Sequence, residues 1–170
     1  MKHIIQLDNK RFSWLGQKFP CIVGKNGFTN HKIEGDWKTP TGEFTIESVY
    51  YRADRIKKPV TKIPVFEITD NLGWSDDIND PSYNQLVQKP YSYSHEDLYR
   101  KDHLYDMILI TNYNRINTIK NQGSAIFIHN WYKQTDVMAE FTMGCLATDL
   151  NILYKILLEC DSKLKWLVDL

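Results

Sequence analysis

The chain has 170 residues, 42% hydrophobic and 13% aromatic, which suits one domain with a sizeable core and excludes a disordered chain. Twenty-one basic residues cancel twenty-one acidic ones, so there is no electrostatic case for a nucleic-acid or anionic-membrane partner. Three cysteines without a C-x-x-C pair argue against a disulfide framework or a common structural zinc site. Residues 1–170 are expected to form a single domain that acts as a monomer. The first apolar run is two residues long, too short for a secretory h-region, and no later window would span a bilayer. On that pattern the expected location is the cytoplasm, or the periplasm if another export route or an upstream start applies.

In chain order, residues 2–7 and 11–15 read as strands about the turn Asp8-Asn9-Lys10. Residues 19–23 form a third, leading to Asn26-Gly27, the strongest short hairpin signal in the chain. Cys21 alternates with Phe19 and Val23, so it is expected to be buried. The stretch from His31 to Gly42 is charged and rich in Gly and Pro, an exposed loop. Residues 43–51 are a strand with Phe44, Ile46 and Ser48 on one face. Two arginines follow, Arg52 and Arg55, near Tyr50 and Tyr51. They suit an anionic ligand, and a pairing of Arg52 with Asp54 or Asp36 explains them equally well.

Residues 63–69 read as another strand, and the polar stretch 71–84 as a long loop whose Trp74 and Tyr83 would wall a cleft. Ser94 and Asp97 read as the N-cap and capping-box positions of a short helix ending near Lys101. Residues 104–113 form a central strand, 114–123 a turn, and 124–129 a strand ending in His129. In that last strand Ala125, Phe127 and His129 share one face, Ile126 and Ile128 the other. Apolar residues on both faces imply an inner strand and a rigid base for the histidine. Asp149 caps a helix lined by Ile152, Leu153, Ile156, Leu157 and Cys160. Residues 163–170 are a final strand or a frayed end. The class that fits is mainly β, a β-rich α+β sandwich or barrel-like core with one or two packed helices.

Cys145 and His129 stand out because a strand–loop–strand return over sixteen residues brings a thiol to an imidazole. An unassisted thiol of pKa ~8.5 is only a few per cent thiolate at neutral pH, and a neighbouring imidazole would raise that fraction. Gly144 leaves bare backbone beside the thiol, with N–H groups available to a reacting carbonyl. A buried, inert cysteine is the plainer alternative.

Two separated motifs go further. The strand ending Ile126-Phe127-Ile128-His129, with Thr142-Met143-Gly144-Cys145 and a helix after it, resembles the catalytic signature of the L,D-transpeptidase (YkuD-like) family. Lys38-Thr39-Pro40-Thr41-Gly42-Glu43-Phe44 resembles its T-P-x-G-x-F motif. The resemblance runs from about Cys21 to Tyr154. Met143 replaces the family's usual histidine, Ala147 stands where many members carry Arg or Asn, and the loop after His129 looks shorter than the common form.

The resemblance implies a mainly β catalytic domain acting on peptidoglycan stem peptides or muropeptides. Cys145 would attack the bond between an L-centred residue and a terminal D-alanine, with His129 as base and then acid and a backbone carbonyl orienting its other nitrogen. No metal or other cofactor is implied. Lys32 and His31 become candidates for a substrate carboxylate, with Arg52, Arg55, Trp74 and Thr142 as further contacts. Water as acceptor makes the enzyme an L,D-carboxypeptidase of murein recycling, the outcome expected from the missing export signal. An amine acceptor makes it a crosslinking transpeptidase. Met143 and Ala147 also admit a non-catalytic peptidoglycan-binding module. A cysteine protease or amidase would share the pair but not the upstream motif.

Overall fold

The computed structural model describes residues 2–131 and 140–169. In chain order the strands are β1 (Ile4–Gln6), β2 (Arg11–Trp14), β3 (Gln17–Pro20), β4 (Phe28–Thr29), β5 (Thr39–Pro40), β6 (Gly42–Tyr51) and β7 (Val65–Glu67). They continue with β8 (Leu72–Ser75), β9 (Leu86–Gln88), β10 (His95–Asp97), β11 (Met107–Thr111), β12 (Phe127–Asn130) and β13 (Leu146–Thr148), then helix α1 (Leu150–Glu159) and β14 (Lys165–Val168). The main sheet runs β13-β12-β11-β6-β14-β1-β2-β3, with β7 added to β6. Its two ends nearly meet. Just past β3, Ile22 exchanges both backbone hydrogen bonds with Ala147 of β13, each 2.9 Å, and the Thr148 hydroxyl donates to the Pro20 carbonyl at 2.7 Å. A barrel-like sheet results, as the sequence pattern implied.

One apolar core fills that sheet and is covered by α1. Phe12, Trp14, Val49, Leu109, Ile128, Leu153, Ile156, Leu157 and Trp166 are all buried there. The helix starts where expected, with the Asp149 carboxylate accepting the Asn151 N–H at 2.8 Å. Residues 165–168 form an inner strand, parallel to β1 and antiparallel to β6, and not a frayed end. The face predicted through Ser48 switches, because the β6–β11 register shifts between Ser48 and Ile46. Val49 and Tyr51 are buried beyond it, and Ser48 is not.

Three expectations change. Residues 71–84 are not simply a loop: β8 lies inside them, buried at all four positions, in a three-stranded sheet ordered β10-β8-β9. Residues 94–101 hold no helix. His95–Asp97 pairs antiparallel with β8, and Ser94 leads into that ladder. Asn26-Gly27 makes a tight turn, Gly27 N–H to Gly24 carbonyl at 2.9 Å, but β4 after it pairs in parallel with β5, so no hairpin forms there. The small sheet packs against the main one through a second apolar core of Ile68, Leu72, Trp74, Leu98, Tyr105, Ile108, Phe127 and Cys145. No helix among the described residues is long and apolar enough to cross a membrane.

Candidate active site

β12 is an inner strand, antiparallel to β11 and parallel to β13, with His129 opposite Ile108 and Ala147. Its two faces divide as the alternation predicted: Ile126 and Ile128 enter the large core, Ala125 and Phe127 the small one. His129 is buried, and its Nδ1 lies 3.1 Å from the Leu104 carbonyl and 3.0 Å from the Asn130 carbonyl. Carbonyls only accept, so Nδ1 carries the proton and Nε2 keeps the lone pair. Burial lowers the His129 pKa below 6.5, which leaves a neutral base.

Cys145 follows a sharply turned backbone. Gly144 has φ +142°, and a Cβ there would come within 2.9 Å of the Lys38 carbonyl oxygen, so a side chain is excluded twice. The turn is pinned from two sides. Thr39 of the T-P-x-G-x-F motif donates its hydroxyl to the Gly144 carbonyl at 2.9 Å and accepts the Gly24 N–H at 2.9 Å. Thr142 donates to the Cys145 carbonyl at 2.6 Å and accepts the Gly144 N–H at 3.1 Å. The Gly144 N–H, expected to face an oxyanion, is therefore already engaged.

The thiol is not activated in this state. Its Sγ donates to the Ala125 carbonyl at 3.1 Å and accepts the Phe127 N–H at 3.3 Å. Burial pushes its pKa up to about 12, with Glu96 adding to the rise and the Phe127 N–H and Lys32 opposing it. The expected depressed thiol pKa is thus reversed: both partners are neutral, because neither charge would be hydrated. Ala125 turns its carbonyl toward the thiol from a left-handed backbone at φ +52°, which is also why the strand begins at Phe127 and not at residue 124. Its N–H is held by the Asn84 Oδ1 at 3.0 Å.

Cys145 and His129 line one cavity of about 360 Å³, together with Lys32, Glu34, Trp37, Asp76, Glu96, Arg100, Tyr105, Thr142, Met143 and Ala147. A profile of the L,D-transpeptidase catalytic domain, YkuD, matches residues 4–166. The chain belongs to the L,D-transpeptidase family. No curated protein matches it. Its chemistry is therefore acyl transfer of the L,D-transpeptidase type on peptidoglycan.

Within this family member, the site brings together Cys145, His129, Gly144, Thr142 and Lys32, and separates the rest. Lys32 reaches both the cavity and a neighbouring one, but its ammonium is tied to Asp36 and to the Ile33 carbonyl. His31 is exposed and lines only the neighbouring cavity. Arg52 is not a ligand arm. Its guanidinium grips Asp54 through two bonds of 2.8 and 2.7 Å, donates to the Arg100 carbonyl at 2.7 Å and lies 3.5 Å from the Tyr99 ring centre. Arg55 is likewise spent on Asp106 at 2.9 Å. Of the two readings open for Arg52, the ion pair with Asp54 holds. Trp74 is 1% exposed and lies behind the site. Its ring meets Phe127 edge-on at 4.9 Å, and its Nε1 donates to Asn84. The polar loop read after His129 falls mostly at residues 132–139, outside the described residues.

Sequence reasoning missed Asn84, Glu96, Tyr105, Asp76 and Glu34. Asn84, in a left-handed conformation and buried, accepts from Trp74 and Ala125 and donates to the Tyr113 and Asn114 carbonyls. Tyr105 lies edge-on to the His129 ring at 5.1 Å and donates its hydroxyl to Glu96 at 2.6 Å. Polar residues in stretches read as loop and surface helix gave no sign that they face inward.

Proposed function

We propose that the chain is a cysteine L,D-carboxypeptidase: it cleaves the L-centre–D-alanine bond of tetrapeptide stems and gives the acyl group to water. Cys145 leaves the Ala125 carbonyl and passes its proton to Nε2 of His129 as Sγ adds to the substrate carbonyl. The tetrahedral intermediate collapses to a thioester while His129 returns the proton to the departing D-alanine amine. Water, deprotonated by His129, then adds to the thioester. The new carboxylic acid leaves and the thiol is restored.

The observation that carries the choice of water is the charge of the cavity. Glu34, Asp76 and Glu96 line it with the thiol. An acceptor amine must be unprotonated to attack, and carboxylates in a shielded cavity hold an amine as ammonium. Water has no such penalty, and it is present at tens of molar.

The competing reading is crosslinking. A polar cavity of about 510 Å³, lined by His31, Lys32, Thr41 and Lys120, adjoins the first through Lys32 and would seat an acceptor stem. Incubating the purified protein with tetrapeptide, alone and with excess acceptor stem, separates the two by product mass. Tripeptide plus free D-alanine as the main product is expected. A crosslinked dimer as the dominant species would make it a transpeptidase.

A further inference from the structure

The Nδ1 proton of His129 lies between two main-chain carbonyls, and one side chain makes both of them available. The first carbonyl belongs to Asn130, the next residue of β12. A strand carbonyl ordinarily serves the neighbouring strand. The β11–β12 ladder runs through Ile110↔Phe127, Leu109↔Ile128 and Ile108↔His129, so Met107 and Asn130 would form the next pair. The Met107 N–H does reach β12, but it donates to the Asn130 side-chain Oδ1 at 2.8 Å. The ladder stops there, and the Asn130 main-chain carbonyl faces the imidazole at 3.0 Å. The second carbonyl, at 3.1 Å, is that of Leu104 in the segment leading to β11. Asn130 Nδ2 donates to the adjacent His103 carbonyl at 2.7 Å and so fastens that segment to β12. Its other contact, to the Trp131 carbonyl, is long at 3.4 Å. His103 has a left-handed backbone at φ +61°, which a residue other than glycine keeps only where its surroundings hold it. Asn130 is 3% exposed, so water serves neither of its amide atoms.

We propose that Asn130 is a positioning residue for the reaction: its side-chain amide replaces its own main-chain carbonyl in the ladder and so fixes the His129 tautomer that leaves Nε2 free. This rests on the acyl-transfer reading of His129. The role needs an acceptor and a donor on one short, planar group, and an amide supplies both. Without Oδ1, the Met107 N–H turns to the main-chain carbonyl of residue 130, and the imidazole loses that acceptor. Without Nδ2, the His103 carbonyl is released, and the Leu104 carbonyl beside it is no longer held at the ring. Nε2 then competes with Nδ1 for the single ring proton. A neutral ring protonated at Nε2 cannot take the proton of Cys145.

The test reads the tautomer directly, by nitrogen NMR of protein labelled with 15N-histidine. The chain has five histidines, and the His129 signals are assigned by their loss in His129→Gln. Spectra are taken at about pH 8, where the ring is neutral. Wild-type protein should show a protonated Nδ1 and an unprotonated Nε2. Asn130→Leu should give a mixture of tautomers, whereas Asn130→Asp, which keeps an acceptor for the Met107 N–H, should stay close to wild type. Asn130→Ala takes its place if Asn130→Leu does not fold. Leu157→Ala, which destabilises from the large core on the other face of β12, should leave both nitrogens unmoved. In Asn130→Leu, kcat for D-alanine release should fall about 10- to 100-fold with KM within about twofold, as expected for impaired proton transfer. A wild-type tautomer in Asn130→Leu overturns the proposal. So does a mixture in Asn130→Asp or Leu157→Ala as complete as that in Asn130→Leu. The two readings fail separately. D-alanine release by wild type, with an unmoved tautomer in Asn130→Leu, removes only the role of Asn130. A shifted tautomer in Asn130→Leu, with no release by wild type, removes only the hydrolase.

Discussion

The two faces of β12 have opposite characters. Ile126 and Ile128 point into a core built from the main sheet and α1, where nearly every contributor is aliphatic or aromatic. Ala125, Phe127 and His129 face the small sheet, where the apolar cluster is interrupted by a thiol, an imidazole and inward-facing carboxylates. The first face is held by burial alone. The second depends on polar anchors, Asn84 above all, because its backbone must bend at Ala125 to receive the Cys145 thiol. A single strand thus carries stability on one side and chemistry on the other.

The largest effect should come from the pair itself. Cys145→Ala should lower D-alanine release by a factor on the order of 10⁴–10⁶ with unchanged near-UV circular dichroism, and His129→Ala nearly as much. The double variant should be little worse than either, since both act in one step. Near-normal release from Cys145→Ala ends the nucleophile assignment.

Next, truncations on the two faces should separate stability from activity. Leu157→Ala on the helix side should cost about 2–5 kcal/mol, and Trp74→Ala on the small-sheet side about 3–5 kcal/mol. Denaturant unfolding reads both. Turnover per folded molecule should survive Leu157→Ala and fall in Trp74→Ala, because Phe127 and the Cys145 pocket lean on that ring. Equal turnover in the two would mean the faces are not functionally distinct.

The polar anchors follow. Asn84→Leu leaves the Trp74 Nε1 and the Ala125 N–H buried without acceptors, about 1–3 kcal/mol for each group, and frees the Ala125 carbonyl that holds the thiol. Thr39→Val removes the bonds to Gly144 and Gly24 with little change of shape, about 1–2 kcal/mol, and should loosen the turn before Cys145 enough to lower turnover roughly tenfold. Thermal unfolding and product release on the same samples check both. Unchanged turnover in Thr39→Val would reduce the motif threonine to a packing role.

The same contrast explains what the sequence disclosed. The helix-side face was legible because burial alone dictates it: the i, i+3, i+4 spacing of Leu153, Ile156 and Leu157 and the alternation in β12 have one simple solution each. The Cys145–His129 juxtaposition was readable from the motifs. The small-sheet face was not. β8 is four residues among turn formers, and its neighbours Asp77 and Asp80 do cap local turns, through the Asn79 and Ser82 N–H groups. Ser94 and Asp97 fit a helix start as well as a strand edge, and only pairing with β8 decides between them. Arg52 and Asp54 are visible in sequence as a possible pair, but not that the guanidinium is buried and unavailable. The left-handed Ala125 has no signature, since nothing local favours that conformation in alanine.

The smallest effect concerns pH, and it distinguishes two ways of activating the thiol. A preformed thiolate–imidazolium pair would need a depressed thiol pKa and a raised imidazole pKa, and burial moves both the other way. The Cys145 pKa rises to about 12 and that of His129 falls below 6.5. The competent free enzyme is then neutral thiol with neutral imidazole, the dominant form from below pH 6.5 to beyond pH 10. kcat/KM should vary by less than about twofold between pH 7 and 10, where loss of an ordinary thiol proton would appear, and decline only as His129 takes up a proton below 6.5. Stability should follow the same sign on the acid side. The unfolded chain binds the His129 proton first, so the stability conferred by burying the neutral ring is present above 6.5 and lost as pH falls through the lower folded value. Iodoacetamide should correspondingly label unliganded Cys145 slowly at neutral pH and faster in an alkaline range. An activity profile that climbs through pH 8–9, or rapid labelling of Cys145 at pH 6, would favour the ion pair and mean that the thiol is activated before substrate arrives.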